Sequence, residues 1–409
     1  MTLGILEGVF RSLHSRNYRL YIAGQGISLV GRWIHQPALY WLAYRMTDSP
    51  VSLGLIGFAQ FVPVFFTGPL AGGLADRLDK RRLLLACQVL GALTGLILAW
   101  MFFAGTLTFS WLLVLTVAVG VVQSFDTPLR QSLLVDLVRE RSELGNAIAL
   151  NAAVFNASRL IGPALAGVII SLWGEGVCFL LNGLSFVPMV FALTALDLEP
   201  VTGMRGVGGM FGHVREGMRS ALGDGGLRPV IVIAGLFSLL GLPYVLLMPI
   251  LARDVLGTGS GGYGTLLSCS GCGALTGALY MAGRRSLEGL DRLVRIFAGL
   301  FSVCIAGLAV SSSFFISAGL LFVVGVSQMI QLASCNTLVQ AGVEDEKRGR
   351  VLSIYYMFLF GMVPFGHLAA GQLTGLIGVR ATLVVFALLY GAVSGVVARG
   401  LQRPRPEPE

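Results

Sequence analysis

The chemistry open to this chain rests on a few ionisable side chains inside long apolar runs. Asp126 is the carboxylate deepest in such a run, and Arg130 follows it four residues later. Residues at i and i+4 share one face of a helix. Arg159 falls in the next run, within a turn or two of the same depth. Two roles are open to Asp126. It forms a buried pair with an arginine that stays ionised and locks two helices, or it exchanges a proton that the arginine partner controls. Arg32, His35 and Gln36 stand on adjoining faces of an earlier run, and Asn151 and Asn156 precede Arg159. A fixed cation at Arg32 would attract an anionic group. An imidazole at His35 can relay protons, or simply hold a hydrogen bond near an interface. The later runs carry only neutral groups, among them Gln328, Gln331, Asn336 and His367. Each ionised side chain at mid-membrane costs about 2.5–3.5 kcal/mol unless paired or hydrated, so these are the candidates for proton coupling (Asp126, His35) and for a polar cavity.

Enzyme chemistry has little footing. The chain's lysines are Lys80 and Lys347, and neither follows a glycine, so a phosphate-binding Gly-Lys loop is absent. No zinc-binding His-Glu pattern and no Gly-x-Ser-x-Gly elbow appears. No cofactor or metal is implied. Six cysteines, Cys87, Cys178, Cys269, Cys272, Cys304 and Cys335, all lie in apolar runs, where packing is the default reading.

The elements that must position these residues are membrane helices. Hydrophobic residues make up 55% of the chain and charged residues 12%, too few charges to solvate a soluble domain of 409 residues. A spanning helix needs about 20 residues. On that measure twelve are expected, near 18–45, 52–75, 82–104, 110–135, 144–171, 176–196, 229–252, 262–283, 293–312, 314–340, 350–376 and 381–399. The net charge of +8 is scattered between runs and does not point to nucleic acid. Of 29 basic residues, five (Arg32, Arg45, Arg159, Arg253 and Arg380) fall in the outer half, so both termini are expected in the cytoplasm. Residues 1–17 lack the apolar core of a cleavable signal.

The chain divides into a six-helix bundle over 1–196, a linker over 197–228 and a second bundle over 229–400, with a tail at 401–409. The linker suggests an amphipathic helix from Phe211 to Leu222 on the inner membrane face. A shift of 204 residues lays Glu140 on Glu344, Gly145 on Gly349, Gly162 on Gly366 and Gly167 on Gly371, the mark of an internal repeat.

Between the second and third runs stands Gly72-Gly73-Leu74-Ala75-Asp76-Arg77-Leu78-Asp79-Lys80-Arg81-Arg82. This loop resembles the signature loop of the major facilitator superfamily, with Asp79 where that family usually has glycine. Asn17-Tyr18-Arg19-Leu20, Pro128 with Val135, and Lys347-Arg348-Gly349-Arg350-Val351 are similar to the bacterial drug and siderophore exporters of the enterobactin and macrolide branch. The resemblance implies an all-α membrane protein of twelve helices in two pseudo-symmetric six-helix bundles. It implies alternating access and proton antiport of small apolar or amphipathic compounds, by a monomer in a bacterial inner membrane. A lysophospholipid or uptake carrier is the alternative within transport, and a non-transporting receptor or scaffold the alternative outside it. By the same resemblance Gly72, Asp76, Arg77 and Arg81 form a cytoplasmic latch, with Asp76 at the start of helix 11 and Arg77 or Arg81 on Asp136. Gly162, Pro163 and Gly167 resemble part of the exporters' Gly-Pro motif, packing against a helix of the other half.

Overall fold

In a computed structural model, residues 11–75, 79–138, 141–197, 218–219, 222–223, 225–284, 286–343 and 345–402 are described. Among them every regular element is helical. The order is α1 (Arg16–Thr47), α2 (Pro50–Ala75), α3 (Lys80–Phe103), α4 (Phe109–Asp136), α5 (Arg141–Trp173) and α6 (Glu175–Thr194). Then come α7 (Leu227–Val255), α8 (Ser260–Gly283), α9 (Leu290–Val310) and α10 (Phe314–Ala341). The last two are α11, in two pieces (Asp345–Gly361 and Val363–Ile377), and α12 (Val379–Ala398). The twelve expected helices are thus present in order, and ten of them, α3 to α12, are long and apolar enough to cross a membrane. In α2 the qualifying apolar stretch is Pro50–Phe66. The helix α1 does not meet the same standard and carries Gln25, Arg32, His35 and Gln36 in its middle. The expected helix over Phe211–Leu222 lies largely outside the described residues, as do Asp76 and Arg77.

By internal contacts the chain forms two units. One takes residues 1–42 and 66–207, the other 43–65 and 208–409. The sequence reading divides the chain at the linker, whereas the contacts also give the second unit a stretch of α1 and α2. The reason is local. Gly54 of α2 and Gly371 of α11 approach backbone to backbone, and Gly57 lies against His367. Phe58 and Phe365 stack edge-on at 6.3 Å, and Phe61 meets the ring of His367 at 5.5 Å. Tyr44 donates to Asp254, and Arg253 pairs with Asp48 at 2.7 Å.

Each unit has its own apolar core. In the first, Tyr18, Leu84, Leu129, Leu133, Met189 and Leu193 are buried together. Asn17 closes the end of α6, donating to the Asp197 carbonyl at 2.7 Å, and Tyr18 donates to the Ala147 carbonyl at 2.8 Å. In the second, Val230, Ile231, Val294, Val339, Ile354 and Tyr355 do the same work. Water offers no hydrophobic drive within lipid, so helices associate through close packing of small residues. Gly162 of α5 lies on Trp33 of α1, and Gly366 of α11 lies on the Ser238 and Leu239 carbonyls of α7. The 204-residue shift carries α5 onto α11, and its partner α1 onto α7, so the repeat is visible as equivalent contacts. Within its own unit, Gly162 packs against Trp33.

Gly273 of α8 sits directly against the Phe322 backbone of α10, where no side chain can yield. Gly273→Val is expected to destabilise the second unit by about 1–3 kcal/mol through overpacking. Gly299→Ala, whose added methyl meets nothing, should leave the midpoint unchanged or slightly higher. Thermal unfolding of the purified protein in detergent measures both.

Candidate functional site

The helices of the first unit bring three charges to one point. Asp126 stands on α4, two residues before Pro128. That proline has no N–H to give the carbonyl one turn back, so the local backbone is loosened where the charges gather. Asp126 is 1% exposed and Arg130, one turn later, 6% exposed. Arg130 Nε donates to both carboxylate oxygens, at 2.8 and 3.0 Å. Arg32 of α1 donates from Nη2 to Oδ2 at 2.6 Å. Gln88 of α3 donates to Oδ1 at 2.5 Å and accepts from Arg130 Nη2 at 2.8 Å. Ser28, one turn before Arg32, accepts from Arg130 Nη2 at 3.3 Å. An ionised carboxylate offers about four acceptor positions. Here four contacts from three side chains occupy them. One carboxylate against two guanidiniums leaves the knot with one surplus positive charge.

The three charges are not held alike. Asp126 and Arg130 are sealed in, while the Arg32 side chain is 23% exposed and reaches the carboxylate through one nitrogen. Arg32 is therefore the least enclosed of the three. Arg159, expected near Asp126, stacks its guanidinium on the Trp33 ring at 5.9 Å, because Asp126 is already filled by Arg32 and Arg130.

The remaining candidates separate into smaller sets. Asn151 accepts from Gln25 at 2.5 Å, and Asn156 turns back on its own helix to the Ala152 carbonyl at 2.9 Å. Gln36 donates to the Tyr40 hydroxyl at 3.3 Å. His35 is buried against Phe179, ring centroids 5.2 Å apart. In the second unit Tyr244 donates to Gln328 at 3.3 Å and shares a hydrogen bond with Ser270 at 2.9 Å. Gln331 donates to the Tyr390 hydroxyl, and Tyr356 reaches Asn336 at 3.5 Å. His367 is buried against Gly57 and Phe61. All of these groups in the second unit are neutral hydrogen-bonding groups, as the sequence expects. Pro163 and Gly167 are buried within α5.

The pairing at the start of α3 differs from the expectation. Lys80, not Arg81, takes Asp136, at 3.0 Å. Arg81 instead donates to the last carbonyls of α6, Leu193 at 2.6 Å and Thr194 at 2.7 Å. A cation at a helix C-terminus meets the negative end of its dipole, which explains the choice. Asp79, where the signature loop usually has glycine, caps α3 by accepting from the Arg81 and Arg82 N–H groups. Gly72 lies within α2, and Asp76 and Arg77 lie outside the described residues.

Gln88, Ser28 and Ser270 escape the sequence reading. Gln88 had a signal, being the one amide in the 24 residues of α3. The serines had none, since serine is common in membrane helices. Among the described residues no cluster of His, Cys, Asp and Glu is placed to hold a metal ion.

Comparison with known proteins places this geometry in a family. Residues 8–404 match the family described as transmembrane secretion effector. The Staphyloferrin A transporter of Staphylococcus aureus (strain NCTC 8325 / PS 47) is 24% identical, over 90% of this chain and 92% of that protein. Macrolide efflux protein A of Streptococcus pyogenes is 24% identical, over 88% and 89%. Multidrug efflux pump Tap of Mycobacterium bovis (strain BCG / Pasteur 1173P2) is 25% identical, over 90% and 87%. Among solved structures, a bacterial homologue of the human lysosomal transporter Spinster aligns with a TM-score of 0.76 at 13% identity, over 97% of this chain and 99% of that one. A nucleoside transporter, NupG, aligns with a TM-score of 0.72 at 12% identity, over 95% and 100%.

Removing one member of a buried ion pair costs about 3–5 kcal/mol, because the other charge is left uncompensated. Asp126→Ala is expected to lose that much stability in denaturant unfolding of the detergent-solubilised protein. Gln88→Leu should lose less, about 1–3 kcal/mol, the cost of unpaired hydrogen bonds. Adding Arg130→Met to Asp126→Ala should recover part of the loss, and strict additivity would show that the knot does not act as a unit.

Proposed function

The chain belongs to the transmembrane secretion effector family of major facilitator transporters, and on that premise we propose that it exports small apolar or amphipathic compounds by alternating access, in exchange for protons. The observation that carries this is the buried Arg32–Asp126–Arg130 knot. Replacing a buried ion pair with packed apolar side chains is often neutral or stabilising. A scaffold would gain by such replacement, whereas a carrier uses the charges. Arg32, partly exposed and singly held, is the member that changes partner as cargo and proton come and go. In this reading Gln36, Arg159 and Asn156 are the further polar groups of the first unit, and Gln328, Gln331, Asn336 and His367 those of the second. The transport named in the relatives, of staphyloferrin A, macrolides and multiple drugs, supports export of amphipathic molecules.

The distribution of basic residues supports an inner-membrane location with both termini cytoplasmic, and the protein works as a monomer. The Lys80–Asp136 pair and the Arg81 contacts fasten the start of α3 to the ends of α4 and α6. In this reading that fastening is the fixed half of a latch to which Gly72, Asp76 and Arg77 belong.

Vesicles with an imposed pH gradient and a panel of fluorescent amphipathic compounds test the proposal. Wild type is expected to move at least one compound against its gradient. Asp126→Asn should lower that flux by about tenfold or more, because Arg32 and Arg130 lose the charge that holds them. Undiminished gradient-driven flux in Asp126→Asn, lysophospholipid flux alone, or no flux in wild type would each refute it.

A further inference from the structure

Two buried polar side chains of the first unit stand apart from the knot. His35 of α1 is 4% exposed, and both its ring nitrogens are buried without a hydrogen bond. Asn182 of α6 is 5% exposed, and its Oδ1 is likewise buried and unpartnered. The two lie on adjoining turns of one seam. The His35 ring meets Phe179, three residues before Asn182, and Gly31, one turn before His35, closes on Asn182 and Ser185. A neutral imidazole always carries one N–H and one bare nitrogen. A buried donor left unpaired costs about 1–3 kcal/mol, so folded proteins keep few of them without a purpose.

We propose that His35 is the group that takes up and releases the exchanged proton, with the unpartnered Asn182 Oδ1 one turn away on the same seam, and that Asp126 is a fixed anchor. The proposal rests on reading the chain as a proton-exchanging exporter and names the proton's seat within it. Asp126 must lose a guanidinium or an amide before its carboxylate accepts a proton, since its acceptor positions are filled. His35 has nothing to displace. When its seam is open to outside water, the bare nitrogen binds a proton and the ring becomes an imidazolium with two N–H donors. When open to inside water, the imidazolium returns that proton. One N–H bond forms and later breaks, and nothing else changes covalently.

Cargo is linked to this proton through Arg32, three residues before His35 on an adjoining face of α1, where it turns to α4 while His35 turns to α6. Like charges at that spacing repel. An imidazolium therefore drives Arg32 onto Asp126 and away from its exposed side. Loss of the proton frees Arg32 to meet a polar group of the cargo. Proton and cargo then compete for one guanidinium without sharing an atom, which is the condition for exchange. The other groups that bear on His35 are Asp126 of α4, behind Arg32, and Glu175 and Cys178 of α6, both within a turn of Phe179. The α3 helix meets Asn182 at Gly95.

The full chain in nanodiscs, labelled with nitrogen-15 histidine, tests this directly. The imidazole resonance missing from His35→Gln is expected to titrate, and Asn182→Ala to move its midpoint. In proteoliposomes His35→Gln should lose about tenfold or more of pH-gradient-driven export, a larger loss than that of cargo counterflow. A His35 resonance that does not titrate, or gradient-driven export that survives His35→Gln, overturns the assignment. Loss of counterflow together with export also overturns it, as the mark of a structural role. A titrating resonance in a wild-type protein that moves no cargo overturns the exporter reading, and the role of His35 falls with it.

Discussion

An ionised carboxylate among apolar helices needs partners, and the way Asp126 obtains them fixes three helices of the first unit. Arg130 comes from its own helix, Arg32 from α1 and Gln88 from α3. Gln88 bonds to both the carboxylate and the Arg130 guanidinium, so it sets their spacing as well as their burial. Ser28 and Arg32, four residues apart, aim one stripe of α1 at α4. Gln36 and Tyr40 continue that stripe at the same interval and hydrogen bond to each other. A rotation of α1 by one residue would turn the whole stripe about 100° away and strand two charges. The register of α1 is therefore held by electrostatics at its middle and by Tyr18 and Asn17 at its start.

Around that point the helices close through missing side chains. Gly95 of α3 lies on the Gly183 backbone of α6, and Gly31 lies on Asn182 and Ser185. In the second unit Gly273 and Gly325 do the same between α8 and α10. Dispersion at such contacts replaces the hydrophobic drive that lipid cannot give. The equivalence of Gly162 on α1 with Gly366 on α7 shows that the repeat preserves which helices touch, even where few residues match.

Much of this was legible in the sequence, and the limits have physical causes. Helix number and order follow from apolar length, a one-dimensional property. The pairing of Asp126 with Arg130 follows from i, i+4 geometry within one helix. The choice of Arg32 over Arg159 does not, because it depends on how two other helices rotate against α4. Trp33, adjacent to Arg32, faces α5 and takes Arg159 as a ring partner, which separates the two arginines. Lys80 and Arg81 show the same limit. Adjacent residues on a helix point about 100° apart, so which one reaches Asp136 depends on the start of α3, and Asp79 sets that start as its cap.

The two units also differ in the kind of polarity they bury, and the difference bears on how work is divided. Among the described residues, formal charge at depth is confined to the first unit. The second buries neutral hydrogen bonds, Tyr244 with Ser270 and Gln328, beneath a cluster of Phe237, Phe301 and Tyr390. Neutral groups recognise shape and hydrogen-bond pattern without changing charge. The same unit carries irregular backbone: α7 passes through π-helical turns at Phe237–Gly241 and Leu251–Val255, on either side of Tyr244. Such turns leave a carbonyl out of the regular ladder and recur at functional sites. Gly366 rests on the carbonyls of Ser238 and Leu239 within the first of them. A bulky residue there would press on the least regular stretch of the helix that bears Tyr244. Response to charge is thus built into α1, α3, α4 and α6, and adaptable backbone into α7, each on a seam where a glycine allows the neighbouring helix to approach.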